Sequence, residues 1–265
     1  MNNNKFKKIM LCSIIPVLYL LLSKGLAKLL LNTIGNISNE YLLYLIVYTI
    51  MSIILIAIIY MLDKINILKY DKKSFVDGLK IGGFLLLLSL ILLIGKVNMG
   101  IKSQKELLPI LNIICYTIAI LFGTGFTEEV LCRGIIQNIM YDIFGKESRK
   151  GLILSIFFSA FIFGVMHYIN CLVTNASFYA VSMQVLSAIG GGLYFGAIYA
   201  RCKNLWVTIF LHGFLDFSQM LTSGFWGIGT STSDIANYDY SGFLSLILFG
   251  LLAMFIIRKN KLTIE

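Results

Sequence analysis

Eight long apolar runs separate the polar segments of this sequence, and they constrain its fold more than any other feature. An α-helix needs about 20 mainly apolar residues to cross the hydrocarbon core of a bilayer. With 58% hydrophobic and 13% charged residues, the chain is too apolar for an ordinary soluble globule. The predicted spans are 9–31, 41–62, 81–94, 108–141, 152–169, 178–200, 205–221 and 243–257. We therefore predict an all-α, polytopic integral membrane helix bundle of about eight transmembrane helices, which forms a single membrane domain over residues 1–265.

Basic residues are concentrated in alternate connections between these spans. Most of the 22 Lys and Arg residues lie in these connections or next to the outermost spans. They are Lys5, Lys7, Lys8, Lys64, Lys69, Lys72, Lys73, Lys80, Lys146, Arg149, Lys150, Arg201, Lys203, Arg258, Lys259 and Lys261. Among the opposite connections, only Lys96, Lys102 and Lys105 depart from the pattern. By the positive-inside rule we expect both termini in the cytoplasm. The net charge of +9 then reflects membrane topology, and no nucleic-acid partner is expected.

The cysteines show no paired spacing. They are Cys12, Cys115, Cys132, Cys171 and Cys202. An odd number without a CxxC motif suggests neither a disulfide framework nor a thiolate zinc site. We interpret most of them as small apolar residues within helices.

The segment 122–137 carries three ionisable residues inside an apolar span. Insertion of one such residue at the bilayer centre costs about 2.5 to 3.5 kcal/mol, so each is expected to have a partner or a function. Glu129 and Arg133 lie four residues apart and therefore share one face of a helix. Glu128 is rotated by about 100° from its neighbour. The spacing predicts an ion pair between Glu129 and Arg133 and leaves Glu128 free to face a cavity.

The fourth span, 108–141, is longer than a simple crossing requires. Gly123 and Gly125 lie just before the two glutamates, and glycines are common where helices kink. We expect a bend or a break at this point. A bend or a re-entrant segment would also bring the polar residues of spans four, five and seven, which are predicted to form the site, to a common depth.

Two further spans carry unusual residues. Lys24 and Lys28 interrupt the first span one helical turn apart, so we expect them to snorkel to the interface or to face the bundle interior. In span six, the glycines 190–192 with Gly196 form a small-residue face that predicts close helix packing. Close approach of this backbone to a substrate is the less favoured alternative.

Both histidines of the chain lie inside apolar spans. Phe163 precedes His167 by four residues, and Asp216 follows His212 by four. Residues four apart share a helix face, so each histidine is expected to contact the residue spaced from it in this way.

Two histidines and an unpaired carboxylate in a dry setting suit the hydrolysis of a peptide bond. This reaction needs a base that takes a proton from water and groups that stabilise the developing oxyanion. Glu128 is the candidate base, and His167 is the candidate partner that shares or orients the water. His212 and Asp216 are candidates for the oxyanion side. Alternatively, Glu128, His167 and His212 bind one divalent metal ion such as zinc, because two His and one Glu form a catalytic zinc site. The residues leave both interpretations open.

Three motifs on separate spans resemble those of the CAAX prenyl protease and bacteriocin-processing family, also called the Abi or type II CAAX protease family. The motifs are Glu128-Glu129-x-x-x-Arg133, Phe163-x-x-x-His167 and His212-x-x-x-Asp216. The resemblance implies an intramembrane endopeptidase that hydrolyses a peptide bond in a membrane-associated peptide or protein. It also implies that Glu129 and Arg133 hold the site together, and it identifies residues 108–221 as the catalytic core.

The resemblance further implies how the catalytic work is divided. Glu128 and His167 would activate the water, and His212 with Asp216 would form the oxyanion hole. The family motif accepts Asn or Asp at position 216. An Asn side chain donates hydrogen bonds, whereas an ionised Asp only accepts them. Asp216 is therefore expected to be protonated, to orient His212 or to support a metal ligand. Proteins of this kind have also been described as metalloproteases, so the resemblance leaves zinc use open.

Two other classes of protein remain as alternatives. A non-catalytic membrane protein that binds a peptide or confers bacteriocin immunity would keep the same motifs without turnover. An ion- or proton-coupled transporter would also place carboxylates and histidines inside the membrane. A transporter predicts repeated halves with paired helix breaks, and the sequence contains no such repeat.

Overall fold

A computed structural model describes residues 3–34, 40–145, 148–229 and 238–258 of the chain. All regular secondary structure in these ranges is helical, which confirms the all-α prediction. The helices are α1 (Asn3–Ile34), α2 (Glu40–Met61), α3 (Lys72–Ile81), α4 (Gly83–Lys102), α5 (Ile110–Phe144), α6 (Arg149–Val173), α7 (Phe178–Cys202), α8 (Leu205–Gln219), α9 (Leu221–Trp226) and α10 (Ser241–Ile256).

Within the described ranges, six helices are long and apolar enough to cross a membrane. They are α1, α2, α4, α5, α6 and α7. The predicted seventh and eighth spans correspond to α8 and α10, which are shorter, with 15 and 16 residues. The predicted third span, 81–94, is too short, because α4 continues to Lys102 and includes Lys96. The division into one membrane domain with a core at 108–221 stays a prediction.

Side-chain caps fix where several of these helices begin. The side chain of Ser148 accepts a hydrogen bond from the backbone N–H of Gly151 at the start of α6. Ser177 accepts one from Ala180 at the start of α7, and Asn204 caps α8 in the same manner. Such caps satisfy N–H groups that have no partner within the helix. They define the ends of the helices that carry the two histidines and the glycine triplet.

The helix α5 is continuous, so of the two expected alternatives before Glu128 the break is wrong, and the bend stays a prediction. Gly125 has the helical backbone angles φ −55° and ψ −43°. Instead of a break, α5 contains two π-helical segments, Ala119–Thr124 and Val130–Gln137, on either side of the α-helical segment Gly125–Glu129. Extra residues of this kind within an α-helix are often found at functional sites, because they rotate the following side chains.

Glycines allow α5 and α8 to cross with their backbones in close contact. A Cβ atom at Gly125 would lie 2.5 Å from the carbonyl oxygen of Ile209. A Cβ atom at Gly213 would overlap the carbonyl oxygen of Leu121. Since His212 precedes Gly213, this crossing positions the imidazole directly beside the glutamates of α5.

The small-residue face of α7 packs against two neighbouring helices, which confirms the packing prediction. A Cβ atom at Gly190 would meet the backbone of Leu246 on α10, and one at Gly192 would meet Ala160 on α6. Gly191 lies between these contacts and lines the cavity described below. The triplet therefore serves helix packing and also forms part of the cavity wall.

The largest apolar core lies between α1, α2 and α5. On α2, Met51, Leu55 and Ile59 recur every four residues and are buried. They belong to the same cluster as Leu131 and Ile135 of α5. Burial of one such side chain contributes about 1.5 to 3 kcal/mol in water. In a bilayer, contacts between well-packed side chains replace much of that driving force. This core holds α1 and α2 against the helix that carries Glu128.

Candidate active site

One cavity of about 550 Å³ brings together the four residues predicted to act on a substrate. Glu128 enters it from α5 and His167 from α6. His212 and Asp216 enter it from α8. The difference in depth expected from the span boundaries is therefore absent, although α5 has no break. The catalytic roles of these residues stay predictions.

The cavity has more walls than the sequence predicted. The expectation was a cavity between spans four, five and seven. Residues of α1, α2, α4, α7 and α10 also line it. Among these are Tyr19 and Lys24 on α1, Tyr48 on α2 and Gln184 on α7. None of these side chains belongs to a motif. Only Lys24 had a sequence signal, because a lysine within an apolar span is unusual.

The two nitrogens of the His212 ring have separate partners. Its Nδ1 lies 2.8 Å from Oε1 of Glu129, within hydrogen-bond distance. Its Nε2 lies 3.7 Å from Oε2 of Glu128 and 3.6 Å from Oδ2 of Asp216. An ionised carboxylate can only accept, so the Nδ1 atom carries the proton of that hydrogen bond. Glu129 thus fixes the orientation of the ring, and Nε2 faces the two carboxylates of the cavity.

Glu129 and Arg133 form the contact expected from their spacing. Nη1 of Arg133 lies 2.8 Å from Oε1 of Glu129, and both side chains are 0% exposed. In contrast, the side chains of Glu128 and Asp216 are each 25% exposed. The two adjacent glutamates therefore have different environments: Glu129 is enclosed with its counter-ion, whereas Glu128 borders the cavity.

Other helices hold Arg133 in place. Its Nη2 donates a hydrogen bond of 3.1 Å to the carbonyl oxygen of Gly192 on α7. The guanidinium carbon lies 4.9 Å from the ring centre of Phe163 and 5.3 Å from that of Phe195. These distances are typical of cation–π contacts, which strengthen when water is excluded. The contacts compensate part of the cost of burying the charge.

His167 is held by the backbone of its own helix. It is the first residue of the 3₁₀ turn His167–Ile169 within α6. Its Nδ1 lies 3.0 Å from the carbonyl oxygen of Phe163. A carbonyl oxygen accepts, so Nδ1 donates and Nε2 is the nitrogen left for chemistry. The Phe163 ring also packs against the imidazole, with 5.0 Å between ring centres.

Aromatic packing around His212 was missed by the sequence analysis. The ring of Phe195 stacks on the imidazole, with 5.0 Å between centres and 23° between planes. Phe163 and Phe195 are both buried, whereas Phe157 and Phe161 of α6 are 46% exposed. The sequence singled out Phe163 by its spacing from His167, but it offered no signal that separates Phe195 from Phe157 and Phe161.

The site contains the donor types of a zinc site. Glu128, His167 and His212 offer a carboxylate and two imidazoles, and both Nδ1 atoms already have acceptors, as is usual for metal-bound histidines. In the described residues, however, no three His, Cys, Asp or Glu side chains lie close enough together to form a ligand group. Zinc use by these residues stays a prediction, and no chemical step below passes through a metal.

The fold and the cavity define a polytopic helical membrane protein with an enclosed carboxylate and imidazole site. Residues 110–218 match the family model described as type II CAAX prenyl endopeptidase Rce1-like. For this part of the chain, the match confirms the family resemblance seen in the motifs. No curated protein matched the chain.

The family match also supports a coarse statement of function. At family level, the match supports a CAAX-type intramembrane protease, that is, a hydrolase that acts on a peptide or protein. The apolar helices and the family together make it an integral membrane protein surrounded by lipid. The matched segment begins at the start of α5, so α1 and α2 lie outside it although both line the cavity.

Proposed function

We propose that this protein hydrolyses a peptide bond in a membrane-associated peptide or protein with a water molecule activated by Glu128 and His167. The observation that carries the proposal is the asymmetric environment of His212. Its Nδ1 is tied to the enclosed Glu129, while its Nε2 faces Glu128 and Asp216 in the cavity. That arrangement leaves one imidazole nitrogen and two carboxylates facing a space large enough for a peptide segment.

Glu128 is the proposed general base. Its carboxylate takes a proton from the water as the water oxygen attacks the carbonyl carbon of the substrate. His167 orients the same water through Nε2, because its Nδ1 is held by Phe163. When the carbon–nitrogen bond breaks, the proton passes from Glu128 to the leaving amine. Atoms and charge then balance without any further reactant.

His212 and Asp216 are proposed to stabilise the oxyanion. A ring that donates through Nδ1 to Glu129 can also donate through Nε2 when it is doubly protonated. A protonated Asp216 would supply a second donor. Pre-oriented donors of this kind stabilise charge that develops in the transition state.

Glu129 and Arg133 are proposed to support the site without touching the substrate. Arg133 neutralises Glu129 and links α5 to the backbone of α7. This leaves Glu129 available to hold the His212 ring. The pair therefore sets the position of the imidazole relative to Glu128.

We further propose that both termini lie in the cytoplasm, because the basic connections predicted above lie on the same side as both ends. Residues 1–2 and 259–265, and with them Lys259 and Lys261, lie outside the described residues. Lys64 and Lys69 lie within them in the connection between α2 and α3, and Arg201 lies in the last turn of α7.

The decisive experiment is peptide cleavage by the full-length protein in liposomes. A mixed peptide library is incubated with the wild type and with Glu128→Gln, and the products are identified by mass spectrometry. Glu106→Gln is the matched control, because Glu106 is exposed and precedes α5 outside the cavity. We expect cleavage by the wild type and by Glu106→Gln, and loss of at least about a hundredfold in rate with Glu128→Gln.

Two further conditions of this experiment test whether cleavage needs a metal: a strong chelator, and zinc added after the chelator. Cleavage that survives a strong chelator supports water activation by Glu128 without a metal. Cleavage that is lost with chelator and restored by zinc would contradict the metal-free step. If folded wild-type protein cleaves nothing, the proposal is wrong, and the peptide-binding or immunity hypothesis replaces it.

A further inference from the structure

Lys24 lines the same cavity as Glu128. It lies on α1, and the cavity-lining face of this helix repeats at intervals of three and four residues. The members of that face are Tyr19, Leu20, Ser23, Lys24 and Ala27. Lys28 lies one turn further along α1 but does not line the cavity. The two lysines that interrupt the first span therefore have different surroundings.

The ammonium group of Lys24 lacks a direct partner in the part of the chain that the structure describes. It forms no ion pair and no hydrogen bond there. Glu128 lies on another wall of the same cavity. The Lys24 side chain is exposed, so an anion that enters the cavity can reach its ammonium group and form a charge-assisted hydrogen bond.

A peptide substrate carries only a few groups that can supply this anion. They are the carboxylate at its C-terminus and the side chains of Asp and Glu. Other walls of the cavity offer neutral polar groups suited to a peptide backbone, such as Asn170 and Gln184, which hydrogen-bond to each other at 2.9 Å. Among the described residues that line the cavity, Lys24 is the only lysine or arginine. The remaining ionisable groups there are acidic, phenolic, thiol or imidazole side chains.

We propose that Lys24 binds a carboxylate of the peptide substrate and thereby determines which peptide bond lies against Glu128. This inference rests on the proposed function, because it assigns a second contact of the same substrate. Lys24 would be a specificity-determining residue, and Glu128 would carry out the chemistry. The segment that matched the protease family, 110–218, does not include α1, so the match assigns no role to this lysine.

The test compares peptides that differ only in a carboxylate. One peptide library is synthesised with free C-terminal acids and again with C-terminal amides, each with and without internal Asp and Glu. The full-length protein in liposomes is assayed as wild type, Lys24→Gln, Lys24→Arg and Lys28→Gln. KM and kcat are measured for the best substrates, and Kd is measured separately with dye-labelled acid and amide peptides.

For the wild type, we expect removal of the recognised carboxylate to raise KM and Kd about ten- to a hundredfold, the range of a hydrogen bond between charged groups. Lys24→Gln should bind both peptide forms equally weakly. Lys24→Arg should keep the preference, and Lys28→Gln should behave as the wild type. A difference between acid and amide would identify the C-terminus, and a difference between acidic and neutral side chains would identify an internal residue.

Three results would overturn the inference. The first is that the wild type does not distinguish carboxylate-containing peptides from neutral ones. This result does not depend on whether any variant folds. The second is Lys24→Gln with an unchanged preference. The third is a change in kcat that is equal for both peptide forms, because Lys24 would then act on Glu128 alone.

The Kd measurements distinguish failure of this inference from failure of the proposed function. Carboxylate-dependent binding that requires Lys24 but leads to no cleavage would refute the protease proposal only. Cleavage without any dependence on the carboxylate would refute the role of Lys24 only.

Discussion

At His212, one ring nitrogen is used for support and the other faces the substrate cavity. Nδ1 contacts Glu129 at 2.8 Å, and Nε2 has Glu128 and Asp216 at 3.7 and 3.6 Å. Orientation of the imidazole is therefore already provided by Glu129. This arrangement removes one of the roles expected for Asp216, and the oxyanion role proposed above and the support of a metal ligand stay predictions.

The role of Asp216 can be tested with an isosteric substitution. In Asp216→Asn, the amide keeps a donor for the oxyanion, so we expect activity within about tenfold of the wild type. Asp216→Leu removes the donor and should lower kcat about 10² to 10³-fold, as for other oxyanion donors. Initial rates on one cleaved peptide measure both variants. Equal inactivity of the Asn and Leu variants would contradict the donor role and favour a carboxylate function.

Because Glu129 and Arg133 form an enclosed ion pair, we expect that stability can be restored by a second substitution while activity stays lost. Glu129→Leu leaves the buried guanidinium without its counter-ion, which should destabilise the protein by about 3 to 5 kcal/mol. The double variant Glu129→Leu with Arg133→Met removes both charges and should recover much of the folded yield. It should remain inactive, because His212 still lacks the acceptor for Nδ1.

Thermal unfolding in detergent and cleavage rates measure the two effects. A double variant as unstable as Glu129→Leu alone would contradict the ion-pair interpretation. Recovered activity in the double variant would show that Glu129 does not position His212.

Among the helices, the crossing of α5 and α8 determines the geometry of the site. Gly213→Ala would place a methyl group against the carbonyl oxygen of Leu121. We expect this substitution to destabilise the protein by about 1 to 3 kcal/mol through overpacking. Activity should fall further than stability, because the displaced α8 carries His212 away from Glu128. Circular dichroism melts and peptide cleavage together test this prediction.

Gly95→Ala is the matched control for this substitution. Gly95 lies within α4, and a Cβ atom there would meet no other atom within 4 Å. Alanine is the better helix former, so this variant should be at least as stable as the wild type. A melting curve of Gly213→Ala that matches that of Gly95→Ala would mean that the crossing tolerates a methyl group.

The sequence predicted features that lie within one helix, but not the contacts made where α5 and α8 cross. The helices were predictable, because apolar runs of membrane length are visible in the residues themselves. The pairing of Glu129 with Arg133 was also predictable, since both lie on one helix at a fixed spacing. The contact between Glu129 and His212 was not, because it depends on how closely two helices separated by many residues approach. The π-helical segments of α5 were equally hidden, as a sequence does not display its hydrogen-bond register.

For the whole molecule, the cavity depends on more of the chain than the family match covers. Residues 110–218 contain all six predicted site residues, but α1, α2, α4 and α10 complete the walls. The buried cluster shared by α1, α2 and α5 holds the first two of these helices in place. The two proposals above place substrate selection on α1 and the reaction within residues 110–218.

The orientation of this assembly in the membrane gives the last prediction. If the termini are both cytoplasmic, the number of crossings is even, which agrees with six long helices alone or with α8 and α10 added. A reporter that fluoresces only in the cytoplasm, fused to either end, should be bright, and one that is active only outside should be silent. The same pair of reporters inserted between α6 and α7, where residues 174–177 carry no Lys or Arg, is the control and should give the reverse result. Cytoplasmic signals at one end only would require an odd number of crossings, so either α8 or α10 would cross the bilayer without the other.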